Sequence, residues 1–99
     1  MQTPMGYEFV STFWQDFSIA DMFGANAIKD TYDRAFEEWK DDYKYMTELV
    51  MVFNWKMWRW YETNEEYGKL YKDMYEELSS WCLDNFEEHE LSYYFNITD

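Results

Sequence analysis

His89 and Cys82 are the chain's only histidine and only cysteine, and they bound the chemistry it can do. A thiol and an imidazole are the raw material for a nucleophile and its base. Cys82, however, lies between Trp81 and Leu83 in a segment rich in inward-reading bulky residues, where a free cysteine packs as a small hydrophobe. Acidic surroundings also disfavour the thiolate. Metal chemistry meets similar limits. The di-iron pattern of helical bundles puts a glutamate three residues before a histidine, and Phe86 stands there instead. A catalytic zinc site draws on more than one His or Cys, and Glu87, Glu88 and Glu90 crowd beside His89 rather than lying one helical turn away.

Carboxylates are too numerous for a pair to carry meaning. There are 21 Asp and Glu against 8 Lys and Arg, and Asp41-Asp42, Glu65-Glu66, Glu76-Glu77 and Glu87-Glu88 are all adjacent pairs. Glycosidase-like chemistry needs two carboxyls facing across a cleft, which a bundle of this size rarely forms. The sequence contains no glycine-rich phosphate loop, EF-hand spacing or nucleophile elbow. It reads as a non-enzymatic chain without cofactor or metal.

The charge itself is the remaining signal. A net −13 repels nucleic acid, whose binding relies on Lys and Arg at the phosphates, and disfavours anionic membranes. It attracts basic surfaces and speeds encounter with them at low salt. An acidic chain is disordered when it is also poor in aromatics and of low hydrophobicity. Here 47% of residues are apolar and 24% are aromatic, and each aromatic can bury roughly 150–250 Å². The chain should therefore fold, as a single domain over residues 1–99.

The elements that position these groups are helices. Only Gly6, Gly24, Gly68 and Pro4 interrupt the chain, so long helices with few corners are expected. Phe9, Val10, Phe13, Trp14 and Phe17 recur at helical steps over about Tyr7 to Phe17. Ser18 reads as the cap of a short following turn, with Asp21 at its third position and Gly24 as its stop. From about Asn26 to Asp42, Ile28, Tyr32, Ala35, Phe36, Trp39 and Tyr43 share one stripe, and Asp41-Asp42 reads as a break because acids oppose the macrodipole at a helix C-terminus.

A third helix over Tyr45 to Glu62 is apolar around most of its circumference, which marks a central element. Thr63 or Asn64 caps a fourth, which carries Tyr67, Leu70, Tyr71, Met74, Leu78, Trp81 and Phe86 inward. Gly68 near its start costs about 1 kcal/mol of propensity. The apolar tail from Leu91 to Asp99 is expected to pack as a short helix or to dock on a partner. The expectation is an all-α, compact bundle of about four helices with a short C-terminal helix or tail. No stretch reads as membrane-spanning, and the N-terminus has no signal-peptide pattern; a cytoplasmic protein is expected.

Several stretches carry a resemblance: Phe13-Trp14-Gln15-Asp16-Phe17-Ser18-Ile19-Ala20-Asp21, Ala27-Ile28-Lys29-Asp30-Thr31-Tyr32, Thr47-Glu48-Leu49-Val50 and Glu90-Leu91-Ser92-Tyr93. They resemble small acidic hypothetical proteins carried on conjugative and mobile elements of Gram-positive and gut bacteria. The resemblance implies a setting, an accessory protein acting on host defence or transfer machinery, and no catalytic residue.

Charge and setting together give the functional expectation. The chain reads as an acidic protein-interaction module, an inhibitor of the anti-CRISPR or antirestriction kind that occupies a basic nucleic-acid-binding surface. Its partner-binding residues would be Asp30, Asp33, Glu37, Asp41 and Asp42, with exposed Tyr or Trp as anchors. The partner is a basic, possible nucleic-acid-handling protein, with no direct nucleic-acid or membrane binding. Over a bundle roughly 25 Å long, duplex DNA presents about fifteen charges, a total comparable with this one. The alternative is a structural homo-oligomer whose surplus aromatics are buried between copies.

Overall fold

A chain with so few glycines and prolines turns only where a capping side chain or a glycine permits it, and the helix boundaries follow those residues. The computed structural model describes residues 4–87 and 89–90, with side chains from residue 13 onward. Among the described residues it forms an all-α bundle of four helices: α1 (Pro4–Asp21), α2 (Ala25–Trp39), α3 (Tyr43–Tyr61) and α4 (Glu65–Asn85). The expected contributions of Phe9 and Val10 to the core rest on side chains outside those described, and the expected packing or docking of the tail from Leu91 to Asp99 lies outside the described residues.

The first corner departs from the sequence reading. Ser18 caps nothing; α1 starts at Pro4 and runs without interruption through Ser18 to Asp21. Proline is accepted in a first helical turn, where its missing N–H has no intrahelical partner to lose. Gly24 makes the turn, with φ 113° and its N–H bonded to the Ala20 carbonyl at 3.2 Å, a backbone conformation that favours glycine. At the second corner α2 ends at Trp39, and Asp42 accepts a hydrogen bond from the Lys44 N–H at 3.0 Å as the N-cap of α3. At the third, Asn64 accepts from the Tyr67 N–H at 3.2 Å, and Glu65 and Glu66 complement the positive end of α4.

The helices alternate in direction, as the contacts show. Phe13 meets Tyr45 and Phe17 meets Phe53, so α1 and α3 run the same way. Trp39 stacks on Tyr45 while Tyr32 meets Phe53, so α2 runs against α3. Tyr43 meets Phe86 and Trp60 meets Tyr67, so α4 also runs against α3. Phe53 is the hub: its ring centroid lies 5.1 Å from Phe17, 5.2 Å from Tyr32 and 5.9 Å from Tyr71, one from each other helix. Every residue from Met46 through Phe53 is buried, as are Lys56 and Met57, which makes α3 the central element.

Gly68 has a packing reason. A Cβ there would stand 3.1 Å from the Cα of Tyr61 and 3.2 Å from its nitrogen, so the glycine lets α4 approach the last turn of α3. Among the described residues, no helix is long and apolar enough to cross a membrane.

Candidate functional site

The most concentrated polar chemistry is a buried cluster around Asp21. A lysine inside an apolar helix must find an anion or lose its charge, and Lys56 finds one. Its Nζ donates to Asp21 Oδ2 at 2.9 Å and to Ser18 Oγ at 2.7 Å, and it sits 4.2 Å from the centroid of the Trp14 ring. The Lys56 and Asp21 side chains are only 3% and 6% exposed. Trp60 Nε1 donates to Asp21 Oδ2 at 3.2 Å and Tyr71 OH to Oδ1 at 2.5 Å, while Tyr67 OH donates to the Asp21 carbonyl at 3.0 Å. One carboxylate at the end of α1 thus gathers donors from α3 and α4.

Serine beside lysine is also the arrangement of a nucleophile and its base. Burial draws the Lys56 ammonium below its usual value, and the bond to Asp21 opposes that shift. The amine that would accept a proton is already donating to a carboxylate, and the Lys56 and Asp21 side chains are closed off from solvent. The cluster's chemistry is that of a latch between helices. Burial, and then the bond to Asp21, likewise push the Tyr71 hydroxyl above the ordinary tyrosine range. Sequence reading treats Asp21 as a capping position and gives Lys56 no role; the signal was a lysine within the largely apolar α3, on the buried face of that helix.

The five expected partner-binding residues divide. Asp30, Asp33 and Glu37 are exposed and share a strip of α2 opposite the buried Ile28 and Tyr32. Asp30 lies 3.3 Å from Arg34, and Glu37 lies 3.3 Å from Lys40, both as exposed pairs within one stretch of chain. Asp41 is exposed at the corner beyond α2. Asp42 is half-buried and bound as the α3 cap, which gives it a structural duty that spacing alone did not distinguish. On the neighbouring surface, Asp33 lines a shallow groove with Asp73 and Glu77 of α4, where Tyr32 OH donates to Glu77 Oε1 at 2.9 Å. Burial, then the bond to Glu77, raise the Tyr32 hydroxyl.

A second groove, between α1 and α2, has a different make-up. Phe17, Ala20, Ala27 and Ala35 line it together with Asp16, Asp30 and Glu38. At its corner end Ile19 and Phe23 are 57% and 76% exposed. Anchors are expected among exposed Tyr or Trp; Trp55 and Trp58 are exposed, but they leave α3 on the side away from Phe53 and therefore away from α2. They do not flank the acidic strip.

Cys82 is buried, and burial pushes its thiol up to about 12, a packed and unreactive state. His89 is exposed, with Nδ1 3.5 Å from Glu87 Oε2. Among the described residues no group of three His, Cys, Asp or Glu is placed to hold a metal ion. No known protein family, curated protein or solved structure matches the chain.

Proposed function

We propose that this protein is a non-enzymatic acidic interaction module that acts in the cytoplasm by occupying a basic, nucleic-acid-binding surface of another protein. The observation that carries this reading is how poorly the negative charge is compensated on the outside. Of the 8 basic residues, Lys56 is spent inside on Asp21, and Arg34, Lys40 and Lys69 sit against carboxylates of their own chain stretch. Asp33 and Asp41 belong to no ion pair among those formed by the described residues.

Shape refines the reading. The molecule extends 35 Å along its longest axis, more than the 25 Å expected from the sequence. Duplex DNA would carry about twenty charges over such a length, against 13 here. The match to a basic channel is therefore one of sign, and the protein need not copy the number or spacing of phosphates. The resemblance to mobile-element accessory proteins supports host defence or transfer machinery as the place to look for the partner.

The test is competition. Proteins from a host lysate that bind heparin are offered to the immobilised chain, with and without duplex DNA. Retention should be displaced by DNA and weaken steeply between about 50 and 200 mM salt. It should be lost on changing Asp30, Asp33, Glu37 and Asp41 to Lys, while the circular dichroism spectrum is unchanged. Retention that survives both DNA and the four reversals overturns the reading; recovery of the chain's own copies alone would replace it with the homo-oligomer.

A further inference from the structure

The groove between α1 and α2 combines three features that the acidic strip alone lacks. Its floor is apolar and includes small residues, Ala20, Ala27 and Ala35, which lets another backbone approach closely. Its corner end carries Ile19 and Phe23, two large apolar side chains left mostly in solvent. Acids stand on both sides, Asp16 on α1 and Asp30 and Glu38 on α2; among the described residues the one cation there, Arg34, is drawn to Asp30.

The length and section of the groove suit a helix. Along α2 it runs from Ala27 to Trp39, about 18 Å or three helical turns at 1.5 Å per residue. Helices seat against one another at 8–10 Å between axes when ridges meet grooves, and an amphipathic helix in an apolar groove is a recurrent recognition mode. Charge selects between occupants. A second copy would bring another −13 to a rim that is already negative, and self-repulsion disfavours it. A helix with an apolar stripe flanked by Lys or Arg meets both the floor and the rim.

We infer that the α1–α2 groove is the docking site for a basic amphipathic helix of the partner protein, with Ile19 and Phe23 as apolar anchors and Asp16, Asp30 and Glu38 as charge clamps. This rests on the reading of the chain as an acidic interaction module. It adds that recognition is by pattern, not by charge alone.

The probe is a fluorescein-labelled Leu/Lys peptide of about 14 residues, long enough for the groove at 1.5 Å per residue. A control peptide has the same composition, rearranged to disperse the apolar stripe. The patterned peptide should bind about tenfold or more tighter, as expected when buried apolar anchors dominate. It should shift the amide resonances of Ala27, Thr31 and Ala35. Ile19→Ser with Phe23→Ser, both at exposed positions that do not threaten the fold, should remove the advantage of pattern and leave the control peptide's binding unchanged. Equal binding of the two peptides, abolished by reversing Asp30, Asp33, Glu37 and Asp41, would overturn the groove while leaving the acidic module intact. Failure of both peptides to bind at about 50 mM salt, where charge attraction is weakly screened, would overturn both readings. Self-association that the Ser variants abolish would reassign the groove to a contact between copies.

Discussion

Asp21 and the carboxylates of α2 are the same functional group in opposite circumstances. Asp21 is almost closed off from solvent and accepts from Lys56, Trp60 and Tyr71. Asp30 and Glu37 face water, and the cations beside them are held loosely, with exposures of 72% for Arg34 and 42% for Lys40. An acid's place in the molecule is thus decided by the donors that converge on it, and neighbouring acids in the sequence say little. The first circumstance serves the fold, whereas the second leaves charge available to another molecule.

Removing the buried acid should have the largest effect. Asp21→Ala leaves Lys56 buried without its anion, and breaking such a pair from one side costs about 3–5 kcal/mol. Urea unfolding should show this loss, and the double variant Asp21→Leu with Lys56→Met should be less destabilised than Asp21→Ala alone, since it removes both charges. A loss below about 1 kcal/mol for Asp21→Ala, the range of a surface pair, would erase the contrast between the two regions. Phe53→Ala, which removes the ring joining all four helices, should cost a similar 3–5 kcal/mol, about the range for deleting a buried aromatic.

The buried region should also respond to alkali. Burial raises Cys82 from 9.0 to about 12 and raises the hydroxyls of Tyr32 and Tyr71 above 10.0. The folded chain therefore keeps protons that the unfolded chain gives up, and their contribution, complete below those ordinary values, is lost as pH climbs through the raised ones. Lys56 acts in the other direction. Its folded value lies below 10.5, so the unfolded chain binds the extra proton and the contribution grows as pH rises toward that value. With three groups raised and one lowered, the urea midpoint should fall as pH climbs from about 9 toward 12, and Cys82→Ala should flatten the early part of the fall, where free thiols ionise near 8.5–9.

The helices were legible because periodicity reports burial directly: Ile28, Tyr32 and Trp39 fell on one stripe, and α3 announced itself by having almost no polar side. The Asp21 cluster was not legible. Its members come from three helices, with Asp21 and Tyr71 fifty residues apart in the chain, and only packing brings them together. Ser18 was misread for the same reason. Local chemistry makes serine a good cap, whereas its actual partner is Lys56, 38 residues away. The acidic strip was legible as a pattern, but the distinction between free Asp33 and capping Asp42 required the corner to be built.

Gly68→Ala sharpens the packing side of the comparison with a smaller effect. Alanine gains about 1 kcal/mol of helix propensity, but its Cβ meets the Tyr61 backbone at 3.1 Å, and backbone yields less readily than a side-chain tip. The two nearly offset, so the urea midpoint should move by no more than about 1 kcal/mol in equivalent stability. A full gain from propensity would show that α4 does not need its close seat on α3.

The smallest effect belongs to the exposed carboxylates. Asp30→Asn, Asp33→Asn and Glu37→Gln should each change stability by no more than about 0.5 kcal/mol, because the pairs they make are solvated and weak. The direction should be toward stability for Asp33→Asn, since Asp33 shares its groove with Asp73 and Glu77 and, among the described residues, with Lys29 alone as a cation, so like charges outnumber opposite ones there. Added salt screens that repulsion, so the wild-type melting temperature should rise from low to moderate salt, and the gain from Asp33→Asn should shrink as it does. A melting temperature that falls with salt would mean that the surface acids are held in stabilising pairs, and the strip would then resemble Asp21 more than it resembles a surface open to a basic partner.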